Sequence, residues 1–264
     1  MAAARRRRAV AALLPAGADA GGPGRGALST PDRVVRAAIF DFYGTLARAV
    51  RWGASPAEVF SRLGHRLDEA AYETWQAEVF DGMEHLAHSG SRNLYLAWER
   101  DRLRRLGAAC GVGADDVEQL AAELHQAMQD FRLAAYDEVP GVLDELRRRD
   151  LVVAVCSNWT WDLDVALDQC DLTGAADVVV TSAQAGVRKP HPRIFSLTLE
   201  RCEVEADEAV FVGDTWYPDV EGALTAGLRP VHVWRPEETA GVDPRPLPAG
   251  VRRVADLSGV LDLL

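Results

Sequence analysis

From Pro140 onward the sequence alternates short β-branched apolar runs with helical stretches, and this alternation limits the possible folds more than any other feature. A helix carrying Val142, Leu143 and Leu146 precedes the run Leu151–Cys156. A second run spans Asp177–Thr181, and a helix from His191 to Cys202 leads to the run Ala209–Val212. A helix over about Pro218–Ala226 stops at Gly227, the run Val231–Trp234 follows, and Val254–Leu264 reads as a closing helix. Strands that alternate with helices are expected in one mostly parallel sheet with helices on both faces. One more strand stands apart. Val34–Phe40 is largely apolar and ends at Asp41. A lone buried strand cannot satisfy its backbone, so it must join the later ones. The expected fold class is therefore α/β, a Rossmann-like parallel sheet core.

Between that first strand and Pro140 the pattern changes. Ser55-Pro56 offers a helix cap followed by proline at the first helical position. Val59, Phe60 and Leu63 follow at helical spacing, and further helical stretches run through Tyr72–Phe80, Asn93–Leu106 and Asp115–Phe131. No strand is expected in this stretch. The reading is a catalytic core of residues 33–51 and 136–264 interrupted by an all-helical insert, residues 52–135. Residues 1–32 read as a disordered extension: Arg5 to Arg8 precede only six apolar residues before Pro15, short of a secretory core, and a glycine-rich stretch follows.

In an open parallel sheet, ligands bind beyond the carboxyl ends of the strands. Four polar clusters fall at or beside such ends. Asp41 with Phe42, Tyr43, Gly44, Thr45 and Leu46 ends the first strand, and Ser157-Asn158 ends the second. Asp214, with Asp219 five residues later, ends another, and Lys189 lies in the loop before the His191 helix. These parts suit group transfer through a carboxylate ester, with Asp41 as nucleophile. Gly44 lets backbone N–H groups approach an anion, and Thr45 and Ser157 supply hydroxyl donors. Lys189 neutralises the nucleophile and developing charge. Asp214 and one oxygen of Asp41 are hard ligands suited to Mg²⁺. Asp219 reads as support behind the metal or as a helix cap, and Asn158 as a phosphate-orienting or a turn-shaping residue.

The same residues resemble the haloacid dehalogenase superfamily of hydrolases. Asp41-Phe42-Tyr43-Gly44-Thr45-Leu46 is similar to its first motif, Ser157 to its second, Lys189 to its third, and Gly213-Asp214 through Asp219 to its fourth. The insert resembles the family's small helical cap, which closes over the site and carries substrate selectivity. The resemblance also implies that the backbone carbonyl of Tyr43 binds magnesium.

Two positions pull in different directions. Family phosphatases usually carry a second aspartate two residues after the nucleophile, serving as general acid and base. Here that residue is Tyr43, which is typical of the dehalogenase branch. That branch works without metal, however, and Asp214 would place an extra carboxylate beside Asp41, a conflict that a metal resolves. The expected function is thus a Mg²⁺-dependent phosphatase of a small phosphorylated metabolite, acting through an aspartyl-phosphate. The alternatives are a 2-haloacid dehalogenase acting through an aspartyl ester, and a weakly active interaction protein that keeps the fold.

Charge and composition narrow the partners. The net charge is -11, although residues 1–32 alone carry five arginines and two aspartates. Neither nucleic acid nor an anionic membrane is expected to bind such a surface. No apolar stretch reaches membrane-spanning length. Cys110, Cys156, Cys170 and Cys202 form no CxxC pair and read as free thiols of a cytoplasmic protein. Within the insert, His85, His88 and His125, and the arginines Arg100, Arg102, Arg104 and Arg105, read as solvated helix faces. Trp159, Trp161 and Trp216-Tyr217 read either as a substrate-facing wall or as loop packing.

Overall fold

The computed structural model describes residues 34–239 and 245–264; the expected extension over residues 1–32 lies outside them. Six strands form a parallel sheet: β1 (Ala37–Phe40), β4 (Val152–Ser157), β5 (Val178–Thr181), β6 (Ala209–Gly213), β7 (Arg229–Val233) and β8 (Arg252–Val254). Their spatial order is β5-β4-β1-β6-β7-β8. The first strand joins the later ones as expected, and Phe40 pairs in register with Val155 on one side and Val212 on the other. All four β1 residues are buried because both faces of the sheet are covered.

Side chains alternate across a strand, so each strand feeds two cores. Ala38 and Phe40, Val153 and Val155, and Val210 and Val212 point to one face. There they meet Val142, Leu143 and Leu146 of α5 (Val139–Arg148) and the closing 3-10 helix Leu257–Leu263. Ala37 and Ile39, Ala154 and Cys156, and Ala209 and Phe211 point to the other, against Ile194 and Phe195 of α8 (Pro192–Cys202). The strand order runs outward from β1 in both directions. The carboxyl ends of β1, β4 and β6 therefore share one crevice, where an open sheet of this topology places its ligand site.

The insert holds α1 (Pro56–Arg62), α2 (Glu69–Ala77), α3 (Arg92–Ala109) and α4 (Ala114–Gln129). Ser55 closes a capping box with Glu58 at the start of α1, as its sequence predicts. The lobe has its own core, in which Val59 and Phe60 meet Leu103, Leu106, Leu120 and Leu124. Three short helices also flank the sheet: α6 (Leu163–Gln169), α7 (Ser182–Ala185) and α9 (Gly222–Thr225), the last entered through a π-turn at Trp216–Glu221.

Three strands depart from the sequence reading: β2 (Ala47–Arg51), β3 (Arg132–Ala135) and β8. β3 falls inside the stretch expected to hold no strand, and it pairs antiparallel with β2. Its residues Arg-Leu-Ala-Ala carry no β preference; the partner strand imposes the conformation. Val254, read as the first residue of the closing helix, instead ends β8, hydrogen-bonded to β7. Three residues are too few to show a period of two, and the helical turn begins only after Asp256, whose side chain accepts from the Ser258 N–H.

Candidate active site

The crevice gathers the four clusters. Asp41 lies one residue beyond β1, fixed by its N–H to the Val212 carbonyl at 2.8 Å. Its Oδ1 accepts from Ser157 Oγ at 2.8 Å and from Lys189 Nζ at 2.7 Å. Lys189 Nζ also donates to Asp219 Oδ1 at 2.7 Å. Asp41 is 7% exposed, and Lys189 and Asp219 are 1% exposed. Burial opposes the lysine's charge, but Asp219 and Asp41 outweigh it and hold its pKa above that of an ordinary lysine. Burial also raises the Asp219 carboxyl, with Lys189 opposing and Asp41 adding to the rise. Asp219 Oδ2 accepts from the Thr215 N–H at 2.9 Å, so this residue both braces the lysine and shapes the loop after β6. Gly213 makes room for it: a side chain there would begin 2.5 Å from Asp219 Cβ.

Asp41, Asp214 and Asp219 bring carboxylate oxygens within 4.8 Å of one another. Gly44 explains how Asp214 reaches this cluster. It adopts φ +92°, and a Cβ at that position would lie 2.6 Å from Asp214 Cγ and 2.7 Å from Oδ1. The Gly44 N–H itself turns inward to the Ala47 carbonyl at 2.8 Å. The glycine therefore serves the approach of a carboxylate, and its own amide does not face an anion. Thr45 Oγ1 stands 3.4 Å from Asp214 Oδ1, and the Thr45 carbonyl accepts from Arg235 at 3.0 Å. Tyr43 packs its ring beside Trp52 at 5.8 Å. Asn158 shapes the lysine loop: its Oδ1 accepts from the Lys189 N–H at 2.7 Å and its Nδ2 donates to the Lys189 carbonyl at 3.0 Å.

The insert is docked on this loop. Gly82 N–H donates to the Lys189 carbonyl at 3.1 Å, Arg188 N–H to the Met83 carbonyl at 2.9 Å, and His85 N–H to the Gly186 carbonyl at 2.7 Å. Asp81 accepts from Asn158 Nδ2 at 3.3 Å, and burial raises its carboxyl pKa against the pull of Arg188 and Lys189. Two surface hollows of about 380 and 460 Å³ line Arg36, Glu203 and Glu208, or Ala206 and Gly227; neither touches the Asp41 crevice.

Several residues here escaped the sequence reading. His85 is buried, not solvated; its Nδ1 meets Ser89 Oγ at 3.0 Å and its ring stacks on Trp98 at 5.5 Å. Burial, aided by Arg188 and His88, pushes its pKa down to about 4. Arg102 is 3% exposed and lies over Trp75 and Trp98, bonded to Glu78 and Glu99. The i, i+4 spacing of Trp98 and Arg102 was the available signal. His232 supports Asp214 from behind. Arg253 Nε donates to His232 Nδ1 at 3.1 Å, which leaves the proton on Nε2 to reach the Asp214 carbonyl at 3.2 Å. Trp159 packs edge-on against Phe42 and Phe131, so it serves the core.

The haloacid dehalogenase-like hydrolase family matches residues 35–227. The chain belongs to this family. It is a haloacid dehalogenase-like hydrolase. It is 32% identical over 180 residues to a phosphoserine phosphatase from Thermus thermophilus, covering 62% of this chain and 72% of that one. It is 35% identical over 192 residues to a ribulose-1,5-bisphosphate 5-phosphatase from Halopiger xanaduensis, covering 65% and 79%. Among solved structures, a haloacid dehalogenase-type phosphatase from Thermococcus onnurineus superposes with a TM-score of 0.56 at 22% identity, covering 87% and 97%. A 2-haloacid dehalogenase from Pseudomonas syringae gives 0.54 at 24%, covering 87% and 98%. This hydrolase therefore shares its fold with both chemistries. No described helix is long and apolar enough to cross a membrane.

Proposed function

We propose that this chain is a Mg²⁺-dependent phosphatase of a small phosphorylated metabolite, with Asp41 as the covalent nucleophile. The observation that carries the reading is the charge of the crevice. Asp41, Asp214 and Asp219 converge with Lys189 as the cation bonded to two of them. Three carboxylates crowd one crevice, Asp41 and Asp219 buried and Asp214 half-buried, and like charges this close repel one another. A dication held among them would ease that repulsion. The donors are all hard oxygens, as Mg²⁺ requires. Asp41, Asp214 and the Tyr43 carbonyl would hold the ion, with Asp219 behind them. When bound, it would screen the anionic nucleophile from an anionic substrate.

The chain's own groups supply the remaining steps. Lys189 and Ser157 orient the Asp41 carboxylate through Oδ1. A carboxylate oxygen attacks phosphorus, the phosphorus–oxygen ester bond breaks, and the leaving alkoxide takes its proton from solvent water, since Tyr43 stands where an acid would otherwise be. A second water attacks the phosphorus of the aspartyl-phosphate, gives up its proton to solvent, and phosphate leaves as the Asp41 carboxylate is restored. Thr45 and Ser157, whose hydroxyls donate to Asp214 and Asp41 here, would turn to donate to the transferred group, while Asn158 and Gly44 keep the lysine loop and Asp214 in place around it. The helical insert acts as a lid, docked on the lysine loop through the backbone bonds from Gly82, His85 and Arg188, which would open to widen the way for substrate.

Names of the two relatives support phosphate as the group transferred, and Asp214 supports a metal. Tyr43 favours the dehalogenase alternative, and one panel separates the two. Phosphate esters and 2-haloacids are assayed with and without Mg²⁺. Hydrolysis of phosphate esters that needs Mg²⁺ is expected; haloacid turnover undiminished in excess chelator would replace this reading.

A further inference from the structure

Arg188 presents an unsolved charge. It precedes Lys189 in the loop on which the insert docks, and its side chain enters the seam between that loop and the helical lobe. The charged and polar groups around it are Asp81, Tyr95, Glu99, Arg102, His85 and Lys189. Each of its charged neighbours has a bonded partner. Arg102 is bonded to Glu78 at 3.0 Å and Glu99 at 3.3 Å. Lys189 is bonded to Asp41 and Asp219. Asp81 takes the Asn158 amide. Arg188 itself makes no side-chain hydrogen bond or ion pair among the described residues, and its Nε is shut off from solvent without a partner. A guanidinium withdrawn from water without an acceptor is costly, and the planar fork matches a carboxylate or phosphate with two parallel bonds.

Asp81 ties its place to the chemistry. Its carboxyl feels the charges of both Arg188 and Lys189 and accepts from Nδ2 of Asn158, the residue after Ser157, at 3.3 Å, while the Lys189 ammonium touches the Asp41 carboxylate. Arg188 therefore faces the same side of the lysine loop as the nucleophile's surroundings. We propose that Arg188 is a subsite for a second anionic group of the substrate, a carboxylate or phosphate a few bonds from the scissile phosphate. This rests on the phosphatase reading for the identity of the first group. Asp81 and Glu99 border the subsite. Both favour the charged guanidinium through space, but Glu99 is bonded to Arg102 and Asp81 to the Asn158 amide, and neither makes a hydrogen bond or ion pair to Arg188.

The test separates binding from turnover. Asp41→Asn protein with Mg²⁺ is titrated calorimetrically with matched pairs: glycerol 3-phosphate against 3-phosphoglycerate, and fructose 6-phosphate against fructose 1,6-bisphosphate. The first pair adds a carboxylate, the second a phosphate. In at least one pair the more anionic member is expected to bind roughly tenfold tighter or better, the worth of a charge-assisted hydrogen bond. Adding Arg188→Gln should erase that advantage, and Arg188→Lys should keep part of it. Should the Gln variant fail to fold, the Lys and Met variants carry the comparison. Equal affinities within both pairs, or an advantage that survives loss of Arg188, overturns the subsite. Turnover of p-nitrophenyl phosphate by the unaltered protein is measured separately. Hydrolysis with equal pair affinities leaves the phosphatase standing without the subsite. A persistent, Arg188-dependent advantage without any hydrolysis leaves the subsite standing and removes the phosphatase.

Discussion

Gly44→Ala tests how tightly the loop after β1 is fitted to Asp214. Two costs can be worked from the geometry. At φ +92° an alanine is strained, which is worth roughly 1–3 kcal/mol. The new Cβ would also start 2.6 Å from Asp214 Cγ, about 1 Å inside ordinary carbon contact. Overpacking of this kind costs roughly 1–3 kcal/mol, partly relieved if the carboxylate swings aside. A total of about 2–4 kcal/mol is expected, which lowers Tm by roughly 5–15 °C in a chain of this size. Swinging the carboxylate aside also spoils the ligand cluster. Mg²⁺ at 100 times its Kd should stabilise the unaltered protein by about 2.7 kcal/mol, and the variant by clearly less. Thermal melts with and without Mg²⁺ read both effects. Asp214→Ala on its own should abolish the Mg²⁺ shift, and the double variant should lose less stability than the two single losses added, because the clash has gone. A Gly44→Ala protein that melts within about 1 °C of the unaltered one and keeps its Mg²⁺ shift refutes the fit. Strict additivity in the cycle refutes the clash.

Four further outcomes are expected. Asp41→Asn should remove multiple turnover while leaving the circular dichroism spectrum unchanged; persistent turnover in a clean preparation excludes the aspartyl mechanism. Chelation should silence phosphate ester hydrolysis, added Mg²⁺ should restore it, and Asp214→Ala should mimic the chelator irreversibly. Tyr43→Asp should raise turnover of an alkyl phosphate more than that of an aryl phosphate, by at most the ~10²–10⁴-fold typical of general acid catalysis, and a folded variant that loses both activities gives Tyr43 a role of its own. The folded pKa of His85, about 4, lies below the ordinary histidine value, so the unfolded chain binds the proton first and stability falls as pH drops from about 6.5 to about 4. That loss reaches about 3 kcal/mol at the bottom of the window; His232, also at about 4, acts in the same sense, so His85→Gln should flatten only part of the profile, and an unchanged profile would show that His85 is not held neutral.

The polar cluster of the crevice was legible because its members stand at the ends of strands whose apolar runs are continuous. Asp41 follows Ala37–Phe40, Ser157 ends β4, and Asp214 follows β6, so reading the strands placed the side chains in one crevice. Gly44 was legible as a special position but not for its cause, since nothing local announces that Asp214 comes to lie against it. Arg102 looked like one more solvated arginine in a run of them; Trp75 and Glu78, more than twenty residues earlier, are what bury it. His232 and Arg253 support Asp214 only after β7 and β8 pair, and β8 is too short to see. Asp81 and Arg188 meet because the insert folds back onto the lysine loop through backbone bonds, which leave no mark in side-chain chemistry.

The ribbon formed by β2 and β3 has a bearing on how such a chain acquires new selectivity. The strand that leads out to the helices and the strand that leads back lie side by side, with Ala47 opposite Ala135 and Arg51 opposite Arg132. Seen from the sheet, everything between Arg51 and Arg132 is a cassette plugged into a two-pronged socket. Closing a loop costs only slightly more as it lengthens, so the socket can accept a two-residue turn, this four-helix lobe or a longer one without shifting Asp41. A change of lobe would then alter the surroundings of the lysine loop, Arg188 included, while leaving the sheet that carries Asp41 in place.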